Sequence, residues 1–226
     1  MKNLFLVILV LLGACSSELK NDGFLMFANF GEKDQFELVF DNQISEISKS
    51  LFNHLRVEDV DLSLYPKVRS EQMKNQLFSI IAEVCWTLDS IGNIDETSNK
   101  SNWLWQTKQW LINNTDLHII GEVRLSDHFN SFVVVSNCES ERHTELDLYV
   151  INTINSQAVS IAQIGRFNQS DRGVCLEYVT FDEKRDIYEL YSKLTSYHHN
   201  QMSTTETKTE FHISASGRII WKQRGE

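Results

Sequence analysis

The chain has 226 residues, of which 42% are hydrophobic and 11% aromatic, and its formal net charge is −10. A composition this rich in apolar residues is typical of a globular protein and argues against a disordered one, because enough apolar surface is available to form a core. The acidic balance argues against DNA and RNA as partners, since binding phosphate groups requires a basic surface.

The first fourteen residues follow the order of a secretory signal. Lys2 supplies a positive charge, residues 4–12 form an unbroken apolar run, and Gly13 and Ala14 are small. A helix of this length rises only about 13 Å, whereas a bilayer core is about 30 Å thick, so the run is too short to span a membrane. We therefore predict that residues 1–14 are a signal peptide. Its removal leaves 212 of the 226 residues and changes the net charge from −10 to −11.

Residues 12–15 read Leu-Gly-Ala-Cys, and this tetrapeptide resembles the lipobox of bacterial lipoproteins. The resemblance covers the first fifteen residues only. It implies that a diacylglycerol is attached to Cys15, that the chain is cleaved before this residue, and that the new amino terminus is acylated. Two or three acyl chains, such as palmitate, hold a protein at a membrane far more firmly than one chain does. The alternative is an ordinary secretory signal in which Cys15 has no role.

The nine residues from Cys15, residues 15–23, lack apolar periodicity, and we interpret them as a lipidated, solvated tether. By the sorting rule of enterobacterial lipoproteins, Ser16 after the lipidated cysteine favours the outer membrane over the inner one. The acidic surface argues against adhesion to anionic lipids, so we expect the acyl chains on Cys15 to provide the contact with the membrane. The sequence thus predicts a protein of the bacterial cell envelope.

Residues 24–116 are predicted to be mainly helical. Apolar residues recur at steps of three and four from position 36 to position 55, as expected for one face of a helix: Phe36, Phe40, Ile44, Ile47, Leu51 and Leu55. The alternative is a short strand over residues 36–40 with a helix that starts at Asp41, a good N-cap residue.

Two further helices are predicted before the pattern changes. Ser70 is a suitable N-cap for the first, whose inward face carries six apolar residues: Met73, Leu77, Ile80, Ile81, Val84 and Leu88. Residues 91–100 form a polar loop, and the second helix is expected over residues 102–112.

From residue 117 to residue 226 the apolar period is two, with short turns between segments, which predicts an antiparallel β-meander. Eight strands are expected, at 117–125, 131–138, 144–152, 157–164, 174–181, 186–195, 205–213 and 218–222. Helices followed by strands indicate an α+β fold in which the helices pack on the sheet as one compact domain. We favour a twisted sheet or partly closed barrel, and two propeller-like blades are the alternative.

Three cysteines remain if Cys15 carries lipid. Cys85 lies in an apolar helical run and is expected to be a buried, small hydrophobic residue. Cys138 and Cys175 both fall in predicted strands, so they could form a disulfide if those strands are neighbours.

Three tryptophans lie close together at Trp103, Trp105 and Trp110. Exposed indole rings stack on sugars, so these residues are candidates for contact with a glycan. The same aromatic residues suit a helix that packs on the sheet, since indole is highly buried on average. We favour packing in the core.

Metal ligands and catalytic carboxylates have no decisive pattern. His198 and His199 are adjacent and would point to opposite faces of a strand, whereas Glu139, Glu141 and His143 could share a face, although a charged hairpin tip is the favoured interpretation. Glycoside hydrolysis needs two carboxylates at a defined separation, which sequence does not give, and the acidic residues in or near strands are Glu122, Asp127, Glu145, Asp147 and Glu177. No zinc-site spacing, phosphate-binding glycine loop or Gly-x-Ser-x-Gly motif is present, so neither a metal nor a cofactor is predicted.

The leading hypothesis is a non-enzymatic, lipid-anchored envelope protein that binds a ligand or serves as an accessory or structural subunit. One alternative is a surface or periplasmic hydrolase that acts on a glycan or a peptide. Another is an inhibitor or immunity-type protein. A deep pocket with converging acidic side chains would favour the hydrolase, and exposed tryptophan or another apolar patch would favour a binding protein.

Overall fold

The structure is a computed structural model that describes residues 26–31, 36–38, 40, 44–91, 100–140, 143–170, 173–198 and 201–222. The predicted signal peptide, Cys15, Ser16, the tether, Asp41 and most of the predicted 91–100 loop lie outside the described residues. The side chain of Leu88 is outside them as well.

The described residues form three α-helices and ten strands. The helices are α1 (Lys49–Asn53), α2 (Glu71–Ile91) and α3 (Lys100–Asn114). The strands are β1 (Phe27–Asn29), β2 (Glu46–Ile47), β3 (Asp116–Val123), β4 (Asn130–Ser140), β5 (His143–Ile154), β6 (Gln157–Ser170), β7 (Gly173–Asp182), β8 (Ile187–His198), β9 (Gln201–Ile213) and β10 (Ile219–Lys222). The eight strands predicted from residue 117 onward are all confirmed.

All ten strands belong to one mostly antiparallel sheet. Strands β3 to β10 are neighbours in chain order, β2 adds to β3 in parallel, and β1 pairs with β6. This confirms the α+β class and the meander. The described strands do not close into a barrel, and they run through a single sheet rather than through two propeller-like blades.

Strand β6 is where the sheet divides. One side of β6 pairs with β5 along its length, whereas the other pairs with β1 at residues 160–162 and with β7 at residues 165–170. The side chain of Asn29 then links β1 to β10, because its amide donates to Ile219 O at 2.8 Å and its Oδ1 accepts from Ile219 N at 2.9 Å. An amide side chain thus replaces the missing backbone pairing between these two strands.

Two hydrophobic clusters lie on opposite faces of the central strands. In β5, Tyr149 and Ile151 belong to the cluster that α2 and α3 cover, while Leu148 and Val150 belong to the cluster beneath residues 44–65. The period-two alternation of β5 places these residues on the two faces. Both faces of the central strands are therefore buried.

The helix predicted from position 36 is wrong over most of its length. Glu37 forms an isolated bridge with Gln157, Ile47 lies in β2, and only α1 is helical. The physical reason is that the apolar residues of this segment serve both clusters: Leu38 packs on the α2 side of the sheet, whereas Phe52 packs on the other. A single helical face could not reach both.

The two later helices are confirmed. Ser70 caps α2, since its Oγ accepts from Met73 N at 3.3 Å, and the described members of the predicted inward face are all buried. Helix α3 extends two residues beyond the prediction at each end. No helix in the described part of the chain is long and apolar enough to span a membrane.

Candidate functional site

A cleft of about 520 Å³ lies beside β3, where two irregular segments cover the outer edge of this strand. The first segment is held by Ser45 O, which accepts from Glu122 N at 2.9 Å. The second is held by Pro66 O, which accepts from Ile119 N at 3.3 Å, and by Val68 N, which donates to Leu117 O at 2.8 Å. The space between the two segments is the cleft.

Gly121 allows the first segment to lie this close to β3. A Cβ atom at this position would be 2.7 Å from Ser45 O and 2.7 Å from the Cγ2 atom of Ile47. Real Cβ atoms do not approach a carbonyl oxygen so closely, so any larger residue would push the segment away. The glycine therefore sets the width of the cleft on this side.

The cleft has a mainly apolar wall. Its volume is within the range of about 300–1,000 Å³ that is usual for small-molecule sites, which are also mainly apolar. Leu64 stands at the mouth with 74% of its surface exposed, the largest exposed fraction among the large hydrophobic residues of the described chain. Six side chains carry the apolar character: Phe40, Ile44, Leu64, Tyr65, Met73 and Ile119.

Two cationic side chains line the same cleft. Lys67 is already neutralised, because its Nζ lies 2.5 Å from Asp116 Oδ1. Arg69 is exposed and makes no ion pair or hydrogen bond within the described residues. It directly precedes Ser70, the N-cap of α2, which also lines the cleft. An apolar wall with one uncommitted cation can bind an apolar molecule and orient a negative group.

A second cleft of about 650 Å³ adjoins the first and is polar. Glu46, Glu122, Arg124 and Asp127 line it, and they include two of the five candidate carboxylates. Arg124 donates to Asp127 Oδ1 from both Nε (3.0 Å) and Nη2 (2.7 Å), so this acid is held in an ion pair. Both partners are exposed, and such pairs contribute little to stability.

Two further candidate carboxylates, Glu145 and Asp147, converge on Arg166 between β5 and β6. Asp147 Oδ1 accepts from Gln163 Nε2 at 2.7 Å and from Arg166 Nε at 2.8 Å, and its Oδ2 accepts from the Tyr149 hydroxyl at 3.3 Å. Glu145 Oε1 lies 3.7 Å from Arg166 Nη2. Each carboxylate of the cluster thus has a partner.

The pKa values of two groups at this cluster, Asp147 and the neighbouring Cys138, are raised. Burial raises the pKa of Asp147 to about 6, the charge of Arg166 opposes this rise, and the carboxylates of Glu145 and Glu177 reinforce it. Burial, followed by the same neighbouring carboxylates Glu145 and Asp147, also raises the pKa of the Cys138 thiol. Burial and the neighbouring carboxylates therefore allow Asp147 to take up a proton closer to neutral pH than an ordinary aspartate does. Asp147 lines neither of the two clefts.

The possible disulfide between Cys138 and Cys175 is not formed, because both thiols are free. Along the register, Cys138 is opposite Glu145, Glu145 is opposite Asn168, and Asn168 is opposite Cys175. The two cysteines are therefore three strand spacings apart, about 14 Å, whereas a disulfide requires Cα atoms within about 7 Å. Cys85 packs against the α2-side cluster but is only half-buried, so it is less buried than predicted.

The three tryptophans of α3 have different environments. Trp110 packs on the α2-side core, which confirms the favoured interpretation for this residue. Trp103 is half-buried, and Trp105 is 61% exposed, so packing in the core is wrong for Trp105. Trp105 alone keeps an open ring face that could contact a glycan.

The proposed histidine sites do not assemble in the described part of the chain. Glu139 and His143 flank the β4–β5 turn, as the hairpin-tip interpretation predicts, and Glu141 lies outside the described residues. His198 ends β8, and His199 is also outside them. Among the described residues, no group of three or more His, Cys, Asp or Glu side chains could hold a metal ion.

Sequence reasoning missed the cleft, because its walls come from residues 40–73 and from β3, which are far apart in the chain. One signal was present. Gly121 lies inside a predicted strand, and an isolated glycine in a strand often marks the close approach of another backbone. Arg69 gave no signal, since it stands in a polar connection with no motif.

Comparisons with protein families, with curated proteins and with solved structures gave no match to this chain.

Proposed function

We propose that the protein is a lipid-anchored component of a bacterial envelope whose body binds a small apolar ligand. The cleft beside β3 is the observation that carries the proposal, since it combines a volume of about 520 Å³ with a mainly apolar wall. The envelope location rests on residues 12–15 and on the lipid that they imply for Cys15. Binding rather than catalysis is proposed because the uncommitted groups of the cleft are apolar side chains and a cation, not carboxylates in pairs.

The position of Leu64 supports this function. Leu64 has 74% of its surface exposed and lines the cleft, so a ligand in the cleft would cover it. Burying a side chain of this size in contact with a ligand stabilises the complex by about 1.5–3 kcal/mol. Leu64 can therefore contribute directly to the affinity for an apolar ligand.

Photolabelling of the full-length protein in phospholipid nanodiscs tests the proposal. Dodecanol carrying a diazirine is the probe, and crosslinked peptides are identified by mass spectrometry. We expect labelling in the two segments that form the cleft. Labelling should be about tenfold weaker in Leu64→Asp, because an alkyl chain that covers the new carboxylate removes its hydration.

The matched control is Leu51→Asp, which makes the same change at an exposed leucine of α1 outside the cleft. This variant should label as the wild type does. Labelling spread evenly over the surface, or equal loss in both variants, would contradict a ligand site in the cleft.

A further inference from the structure

We infer that the ligand of the cleft is an amphipathic carboxylate, whose apolar chain lies along the wall and whose acid group pairs with Arg69. This inference rests on the proposed binding function and specifies its chemical class. It is based on the position of Arg69, an arginine that lines an apolar cleft and has no anionic partner within the described residues.

The charges around the cleft distinguish Arg69 from its neighbour. Lys67 is 2.5 Å from Asp116, so its charge is already compensated. Glu71, the first residue of α2, is bound to Lys74 at 3.1 Å. Arg69 lines the cleft and has no carboxylate partner within the described residues, and an anionic ligand in the cleft would supply one.

The start of α2 adds to the positive potential. Ser70 Oγ accepts a hydrogen bond from Met73 N, and Ser70 O accepts one from Lys74 N at 2.9 Å. The N–H groups of Glu71 and Gln72 are directed out of the helix end, as in the first turn of any α-helix, and the helix dipole favours a negative charge there.

A carboxylate fits this mouth better than a phosphate does. A guanidinium offers two parallel N–H donors that match the two oxygens of a carboxylate. A phosphate dianion would need a second free cation, while Asp116 and Glu71 already place two acids close by. One unit of negative charge balances the guanidinium of Arg69, which has no partner within the described residues.

The test compares two probes that differ only in the head group. Dodecanoic acid and dodecanol, each with the same diazirine, are titrated against the full-length protein in nanodiscs. We expect the acid to label the cleft at about tenfold lower concentration than the alcohol does. In Arg69→Gln this preference, taken as the ratio of acid labelling to alcohol labelling in the same variant, should fall below about twofold, and Arg69→Lys should restore part of it.

Lys108→Gln is the matched control, since Lys108 is another cation without an ion pair in the described residues and lies on α3, outside the cleft. It should retain the full preference for the acid. Equal labelling by acid and alcohol in the wild type, or an undiminished preference in Arg69→Gln, would overturn the inference but leave the apolar site intact. If neither probe labels the cleft, the proposed function itself fails.

Discussion

Asp147 is a buried acid whose pKa lies above the ordinary value. Its side chain is buried, accepts hydrogen bonds from three neighbours and pairs with Arg166 at 2.8 Å. Burying an ion pair removes hydration from both charges, and the attraction does not always compensate for the loss. Burial therefore raises the pKa of Asp147 to about 6, although Arg166 opposes the rise.

This pKa predicts how stability depends on pH. The pKa of Asp147 is near 3.8 in the unfolded chain and about 6 in the folded protein, so the folded state binds the proton more tightly. The free energy of unfolding should therefore fall as pH rises from about 4 to about 6. The two values differ by roughly two pKa units, which corresponds to a loss of up to about 3 kcal/mol. Urea unfolding, followed by tryptophan fluorescence at several pH values, measures this slope.

Asp147→Asn should remove this part of the pH dependence, because the amide cannot titrate. Asp182→Asn is the control: Asp182 is an exposed acid whose pKa is lowered by its hydrogen bonds with Arg185, so it titrates below the window. An unchanged slope in Asp147→Asn would show that another group of the cluster holds the proton.

At the scale of elements, a side chain of β1 holds β10 in place. It forms the hydrogen bonds that the backbone of a neighbouring strand would otherwise form. The amide of Asn29 makes two hydrogen bonds with the backbone of Ile219 in β10. Because β10 has only four residues and pairs with β9 on one side, these bonds tie its other side to the body.

Asn29→Ala should therefore loosen β10 and destabilise the protein by about 1–2 kcal/mol, the usual effect of losing two partly exposed hydrogen bonds. Hydrogen–deuterium exchange of residues 219–222 is the measurement, and exchange there should become faster. Asn114→Ala, which loses only a local bond to Trp110 O in α3, should leave β10 unaffected. Equal exchange in both variants would show that Asn29 does not hold β10.

Local patterns predicted the meander because its pairing is local. Each strand from β3 to β10 pairs with the next along the chain, and short turns connect them, such as Asn155 and Ser156 with positive φ angles of 50° and 66°. Asn is among the residues that favour this conformation. Strands β1 and β2 were missed because they have three and two residues and pair with strands far away in sequence.

The candidate site was far less predictable than the sheet. Periodicity reports which face of an element is buried, but the cleft forms between irregular segments whose positions depend on their contacts with β3. Glu145 and Asp147, two of the carboxylates singled out from the sequence, do meet at Arg166. Sequence spacing does not predict this contact, because the carboxylates lie on one strand and the arginine on the next. Sequence therefore suggested the residue types but not their arrangement.

At the scale of the whole molecule, we propose that the lipid on Cys15 and the cleft serve one function. Ten residues lie between Cys15 and Met26, the first described residue. The eleven steps from Cys15 to Met26 span at most roughly 38 Å when the chain is fully extended. An anchor at Cys15 would therefore keep Met26 within roughly 38 Å of the lipid, at a surface where amphipathic molecules are concentrated.

Measuring the acylation of Cys15 is the most direct test of whether the protein, and with it the cleft, is held at a membrane. Cells that express the full-length protein or its Cys15→Ala variant are grown with labelled palmitate, and membranes are separated from soluble fractions. We predict that the wild type carries the label and sediments with membranes, whereas Cys15→Ala carries none and is largely lost from that fraction. A wild type without label, or equal labelling of the variant, would contradict the lipid anchor.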